Sequence, residues 1–305
     1  MTSQPTRTFL SPRREFVAVG ALVAVTAVWG STFLIVQDVV EIMPVFAFLA
    51  WRFSLATLVL IAIRPSALRG LTPAVRNQGI GLGVALGLGY IFQTIGLKST
   101  SATVSGFITG MFVVFTPLIS AVVLRTRITP IAWLAVGLAS VGLGLLSLNG
   151  FSIGIGELLT LMCAFLFAVQ IVGLGLWARA DNVYALAVLQ LGTAAVIALV
   201  ASLPSGGPVA PPSKSVWVAV LFLALVATAA AFFIQTWAQS QLPATRAAIV
   251  LTMEPVFAGF TGVVVGGEPL TVRIVLGAGF ILAAMYLVEL GPRAGAEATL
   301  PHLEP

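Results

Sequence analysis

The chain has 305 residues, of which 59% are hydrophobic and 8% charged, and it carries a formal net charge of +5. A soluble domain carries roughly 25% charged residues, so this is the composition of a membrane protein with no room for a separate catalytic domain. The basic residues stand in short segments between apolar runs and sort by side, which argues against nucleic acid as their partner.

Residues 1–15 read as a cytoplasmic arm containing Arg7, Arg13 and Arg14. Apolar runs follow at 16–36, 44–63, 78–97, 101–124, 129–148, 154–177, 183–203, 215–242, 244–265 and 270–289. Each is near the roughly 20 residues whose rise of about 1.5 Å apiece crosses a hydrocarbon core of about 30 Å. The reading is therefore an all-α membrane protein with ten transmembrane helices. The first run resembles a secretory leader in having basic residues before it. It exceeds a typical leader core and has a counterpart opening the second half, so it is expected to remain as a span. The longest interruption, 204–214, is rich in Pro, Gly and Ser and reads as a surface loop. Cys163 is the sole cysteine, so no intrachain disulfide is possible, and His302 falls in a tail at 291–305.

With a cytoplasmic amino terminus, the later inner segments hold Arg64, Arg69, Arg76, Arg125, Arg127, Arg179, Arg246 and Arg293. The outer segments hold only Lys98, Lys214 and Arg273. This asymmetry follows the positive-inside rule and predicts that both termini are cytoplasmic.

The second half echoes the first at an offset of 142 residues: Phe92-Gln93-Thr94 returns as Ile234-Gln235-Thr236, Ala102-Thr103 as Ala244-Thr245, Thr129 as Thr271 and Gly137 as Gly279. Five spans per half is an odd number, so equivalent helices must run in opposite senses. The loops agree, since Arg125-Thr126-Arg127 after the fourth run becomes Gly267-Glu268-Pro269 after the ninth. The domain reading is a first five-helix repeat at 16–148 and a second, inverted, at 149–290. Paired inverted repeats around a midplane site are the architecture of a secondary transporter.

Trp29-Gly30-Ser31-Thr32-Phe33, Arg52-Phe53, Thr116-Pro117, Glu254-Pro255 and Gly267-Glu268-Pro269-Leu270-Thr271 occur in that order. On these residues the chain resembles the drug/metabolite transporter superfamily, EamA type, over about 16–289. The family's Gly-Glu-Arg-Leu turn also closes the fourth span, but Thr126 stands where its Glu would be. The related small multidrug exporters carry an acid in their first helix, and 16–36 contains none, so their proton-antiport residue has no equivalent here. The resemblance implies a bacterial inner-membrane exporter of metabolites, with amino acids, aromatic or other apolar ones included, as the expected substrates. Exporters of drugs, organic cations or other metabolites are the alternative.

Glu254 is the acidic side chain near the middle of a predicted span, where a charge costs roughly 2.5 to 3.5 kcal/mol. It either binds a substrate ammonium or exchanges protons, or else it bonds neighbouring helices beside Pro255. Arg52 lies within the second span and has three open readings: snorkelling outward, pairing with Glu254 or Glu41, or meeting a substrate carboxylate. Trp29, Ser31, Thr32, Tyr90, Gln93, Gln170, Gln235 and Trp237 put aromatic faces and polar groups at membrane depth, the mixture a mostly apolar pocket requires. Gln93 and Gln235 are repeat-equivalent and are expected to face one central cavity. Pro117 and Pro255 are expected to interrupt their helices, about one turn out of register. Glycines at 79, 81, 83, 87 and 89, and at 106 and 110, are expected to permit close helix contacts.

An intramembrane enzyme is the rival class. No His lies in any span, which removes His-dependent triads and His zinc sites. A channel is the third class, distinguished by conductance that does not saturate. No bound cofactor and no metal are implied, the expected partners are a small-molecule substrate and the lipid bilayer, and the pattern does not specify an oligomeric state.

Overall fold

The computed structural model describes residues 12–123, 125, 130–149, 152–242, 247, 250–251 and 253–290. They form α1 (Pro12–Ile42), α2 (Val45–Ile63), α3 (Pro73–Leu97), α4 (Ala102–Gly110), α5 (Phe112–Val123), α6 (Pro130–Ser147), α7 (Ile155–Trp177), α8 (Val183–Ser202), α9 (Lys214–Ala224), α10 (Ala231–Gln241), α11 (Met253–Val264) and α12 (Val272–Leu290). The protein is an all-α membrane protein. Seven of its described helical segments are long and apolar enough to cross a bilayer, and three shorter apolar helices, Trp133–Leu145, Met253–Val264 and Val272–Leu287, fall in the fifth, ninth and tenth expected runs. Among the described residues the strands are confined to a two-residue antiparallel ribbon pairing Leu148–Asn149 with Ser152–Ile153.

Local chemistry sets the helix starts. Thr72 caps α3, its hydroxyl accepting Val75 N–H at 3.3 Å, with Pro73 at the first helical position where the missing N–H costs nothing. Ser101 and Ser213 cap α4 and α9 in the same way, accepting from Val104 and Val216.

Two expected single spans are interrupted. The run at 101–124 breaks at Met111, between α4 and α5, while α5 continues through Pro117. Pro117 has no N–H for the Val113 carbonyl, so the disturbance falls in the turns before it. The run at 215–242 contains a π-helical stretch, Leu225–Ala230, between α9 and α10. There Thr228 donates to the Leu223 carbonyl, five residues back, at 2.8 Å. The widened turn leaves side chains and carbonyls pointing inward that a regular helix would not present.

The most extensive helix contacts join one sequence half to the other: α3 with α7 and α8, α2 with α8, α6 with α12, and α11 with α1 and α4. Glycines set these approaches. A Cβ on Gly79 or Gly83 would come within 2.5 Å of Leu189 or Thr193 on α8, and one on Gly89 would strike Phe167 on α7. Gly106 is covered by Ala258, and Gly110 by the Pro255 ring. Gly81 meets nothing and serves no such contact. Outward-facing positions are apolar and bare, Leu58 at 61% and Val196 at 60% exposure among them, which lipid tolerates and water would not.

Candidate functional site

The interleaved helices enclose a cavity at the middle of the bundle. α1 contributes Trp29 and Thr32, α2 Arg52, α3 Tyr90 and Gln93, α7 Phe167 and Gln170, α10 Phe232 and Gln235, and α11 Glu254. Its volume is about 40 Å³, room for a few waters at about 10–15 Å³ each and far below the roughly 300 Å³ of a small-molecule pocket. The cavity is small and several of its lining groups are polar.

Much of the lining is aromatic, and one of its rings, Tyr90, lies against the Arg52 guanidinium. Trp29 and Phe232 have ring centroids 5.1 Å apart, Phe232 and Tyr90 6.0 Å, and Tyr90 and Phe167 5.2 Å. Trp29 is fixed by its indole N–H, which donates at 2.9 Å to the Ala227 carbonyl in the π stretch. Gly30 explains why α1 comes so near: a Cβ there would lie 2.7 Å from both Ala258 N and the Glu254 carbonyl oxygen, so α1 rests on the α11 backbone. Gly30 thus brings Trp29 and Glu254 to the same cavity.

Arg52 is 2% exposed, and its Nε donates at 2.7 Å to Thr228 Oγ1. Its Nη2 makes a long 3.5 Å contact to the Tyr90 hydroxyl, and the guanidinium sits 4.6 Å from the Tyr90 ring centroid. Burial at this depth removes the snorkelling reading. Neither Glu254 nor Glu41 pairs with it, and among the described residues its remaining N–H groups have no acceptor. Five donors with two in use leave a fork free for a planar anion.

Glu254 is 5% exposed and, among the described residues, its carboxylate has neither a hydrogen bond nor an ion pair. The polar neighbour that a purely structural role requires is therefore not among them. Gln235 adds a second free acceptor, since its side-chain oxygen is buried without a partner among the described residues. Gln93 donates to Thr109 Oγ1 at 3.2 Å. Gln170 donates at 2.9 Å to Gln190, which donates in turn to Thr236 Oγ1 at 3.1 Å, tying α7, α8 and α10 together.

Two halves of the chain, 17–148 and 154–290, each match the family model of EamA-like transporters. The chain belongs to the EamA-like transporter family. It is 36% identical over 275 residues to an uncharacterized transporter of Archaeoglobus fulgidus, covering 88% of this chain and 84% of that protein. A protein of known crystal structure shares the fold with a TM-score of 0.66 at 20% identity, over 90% of this chain and 96% of the other. The protein is thus a membrane transporter.

Of the candidates read from the sequence, Trp29, Thr32, Arg52, Tyr90, Gln93, Gln170, Gln235 and Glu254 meet at the cavity. Ser31 and Trp237 do not: Ser31 returns its hydroxyl to the Val28 carbonyl, and Trp237 packs in a separate cluster with Leu22 and Ala238. Pro117 and Pro255 lie off it as well, Pro255 against Gly110. Sequence reasoning missed Thr228, Gln190, Phe167 and Phe232. Gln190 had a signal, a glutamine inside an apolar run, whereas Thr228 depends on a π turn that no residue type announced.

Glu268 has a role the motif alone did not disclose. Its carboxylate accepts Ala102 N–H at 2.8 Å and Thr103 N–H at 3.1 Å, capping α4 from the loop after α11. Its repeat equivalent, Thr126, lies outside the described residues.

Proposed function

We propose that this transporter exports small organic solutes, with amino acids, aromatic and other apolar ones included, as its substrate class, by alternating access at the central cavity. The observation that carries this reading is a cavity holding a guanidinium and a carboxylate that have no ion-pair partner among the described residues, beside aromatic rings. In this reading Arg52 receives the substrate carboxylate, Glu254 with the Gln235 oxygen receives the ammonium, and Trp29, Phe232, Tyr90 and Phe167 face the side chain. Thr32, Gln93 and Gln170 orient the bound solute by hydrogen bonds. Residues 16–148 and 149–290 act as inverted repeats in a bacterial inner membrane, with both termini cytoplasmic, as the arginine asymmetry supports. Because the interfaces interleave the halves, the rocking units are mixed: α1, α4 and α11 move against α2, α3, α7 and α8. The small cavity corresponds to a closed stage of that cycle.

A second reading, export of organic cations or drugs, is favoured by one feature. Arg52 already donates to Thr228 and stacks on Tyr90, while Glu254 and Gln235 have acceptors without a partner among the described residues, beside aromatic faces suited to a cation.

The test is transport by reconstituted protein of a labelled amino-acid panel and of the matching decarboxylated amines, with and without a pH gradient. Saturable amino-acid flux is expected, with each amine about tenfold or more weaker in the wild type. Arg52→Lys shrinks that difference by losing the fork. Glu254→Gln depresses transport of both classes. Equal handling of acid and amine supports the cation reading, and Glu254→Gln transporting normally at every pH defeats both.

A further inference from the structure

A second concavity lies on the outside of the bundle and shares no lining residue with the central site. It is a groove of about 590 Å³ between α2, α3 and α8, lined by apolar side chains such as Leu58, Ile61, Leu68, Ile80 and Val196. The glycines of α3 create it. Gly79 and Gly83 let α3 lie directly on Leu189 and Thr193 of α8, which form the floor, while α2 also packs on α8 but barely touches α3 and so is the far wall. Gly192 opens into the same space: a Cβ there would meet only Thr57 Cγ2, at 3.4 Å. Thr57 presents that methyl because its hydroxyl donates to the Phe53 carbonyl at 2.7 Å. The rim residues Leu58, Ile80 and Val196 are apolar and exposed on helices long enough to cross a bilayer, which suits an occupant drawn from the bilayer.

The chain segments bordering one end of the groove are basic. Leu68, at its mouth, is in a short turn flanked by Arg64 and Arg69, and Arg76 stands one helical turn before Ile80 on the same face of α3. All three arginines are exposed, and no acidic residue occurs between 64 and 80. Arg64 is held over the Tyr184 ring, 5.6 Å from its centroid, which carries it across to the start of α8. In the adjoining loop Arg179 and Asp181 offset one another.

We infer that this groove is a binding site for an anionic phospholipid, with one acyl chain lying against Gly192 and the phosphate held by Arg64, Arg69 and Arg76. Charge complementarity decides the class. A zwitterionic lipid brings a choline or ethanolamine cation to the same arginines, whereas phosphatidylglycerol brings a phosphate alone. Guanidinium forks pair with phosphate oxygens bidentately, and each basic residue at such a surface is worth roughly a fivefold change in binding.

The full-length protein, stripped of lipid in detergent, is titrated with phosphatidylglycerol or phosphatidylcholine of identical chains, and bound lipid is counted by native mass spectrometry. Phosphatidylglycerol is expected to bind at least tenfold more tightly. R64Q/R69Q/R76Q is expected to lose on the order of a hundredfold, while R64K/R69K/R76K, which keeps every charge, retains the preference and controls for misfolding. G192L puts an isobutyl group on the groove floor, where the acyl chain would lie, with all charges intact and is expected to lose at least tenfold. Equal binding of the two lipids, a triple Gln variant that binds like wild type, or a G192L variant unchanged in affinity would each overturn the assignment. So would a concentration-dependent dimer that excludes lipid from the groove, since the face would then belong to a second copy of the chain.

Discussion

Replacing Glu268 tests whether a side chain from the second half holds the start of α4. Its two carboxylate oxygens receive the Ala102 and Thr103 N–H groups at 2.8 and 3.1 Å, two of the donors that the first turn of a helix cannot satisfy internally. Hydrogen bonds to a charged acceptor contribute about 1.5–3 kcal/mol, and a negative charge at a helix amino end adds about 0.3–1 kcal/mol. Glu268 is half-buried, so solvent screens part of this. Glu268→Gln keeps one acceptor and removes the charge, for a loss of about 1–2 kcal/mol; Glu268→Ala removes both bonds, for about 2–4 kcal/mol. The assay is amide hydrogen exchange of the segment spanning Ala102 and Thr103. Opening is expected to rise about 5- to 30-fold in the Gln variant and beyond 30-fold in the Ala variant. Unchanged protection there, or an equal rise throughout α8, would show that the cap does not hold α4.

Gly30→Ala forces a methyl into the α11 backbone at 2.7 Å from Ala258 N and the Glu254 carbonyl. Such overpacking costs about 1–3 kcal/mol, so a lower unfolding temperature in detergent is expected together with impaired transport; a variant as stable as wild type would mean that α1 and α11 do not need this contact. Gln190→Leu leaves the Gln170 amide unpaired at the cavity wall, at a cost of about 1–3 kcal/mol. Adding Gln170→Leu is expected to restore part of that stability, because no buried donor is then orphaned, and strict additivity of the two changes would refute the coupling.

Much of the site was legible because burying a polar or charged group in hydrocarbon is costly enough to be conspicuous. Glu254, Arg52 and the glutamines Gln93, Gln170 and Gln235 stand out in apolar runs for that reason, and all five line the cavity. Ser31 and Trp237 obeyed the same rule and lie elsewhere, since a serine hydroxyl can satisfy itself on its own helix. The choice among the three readings of Arg52 was not legible. Depth, the Thr228 bond and the lack of an acidic partner among the described residues depend on how α2 meets the π stretch, and that stretch contains neither proline nor glycine to signal it.

The amino-acid order alone determined that the chain lies in a membrane, where its apolar runs fall and that its halves echo one another, because hydrocarbon permits few ways to satisfy a backbone and composition reports them directly. Only the tertiary structure decided that the halves interleave, that Gly30 sets Trp29 beside Glu254, and that Glu268 reaches across to α4. Those outcomes turn on sub-ångström clearances between helices far apart in the chain, and residue periodicity carries no record of them.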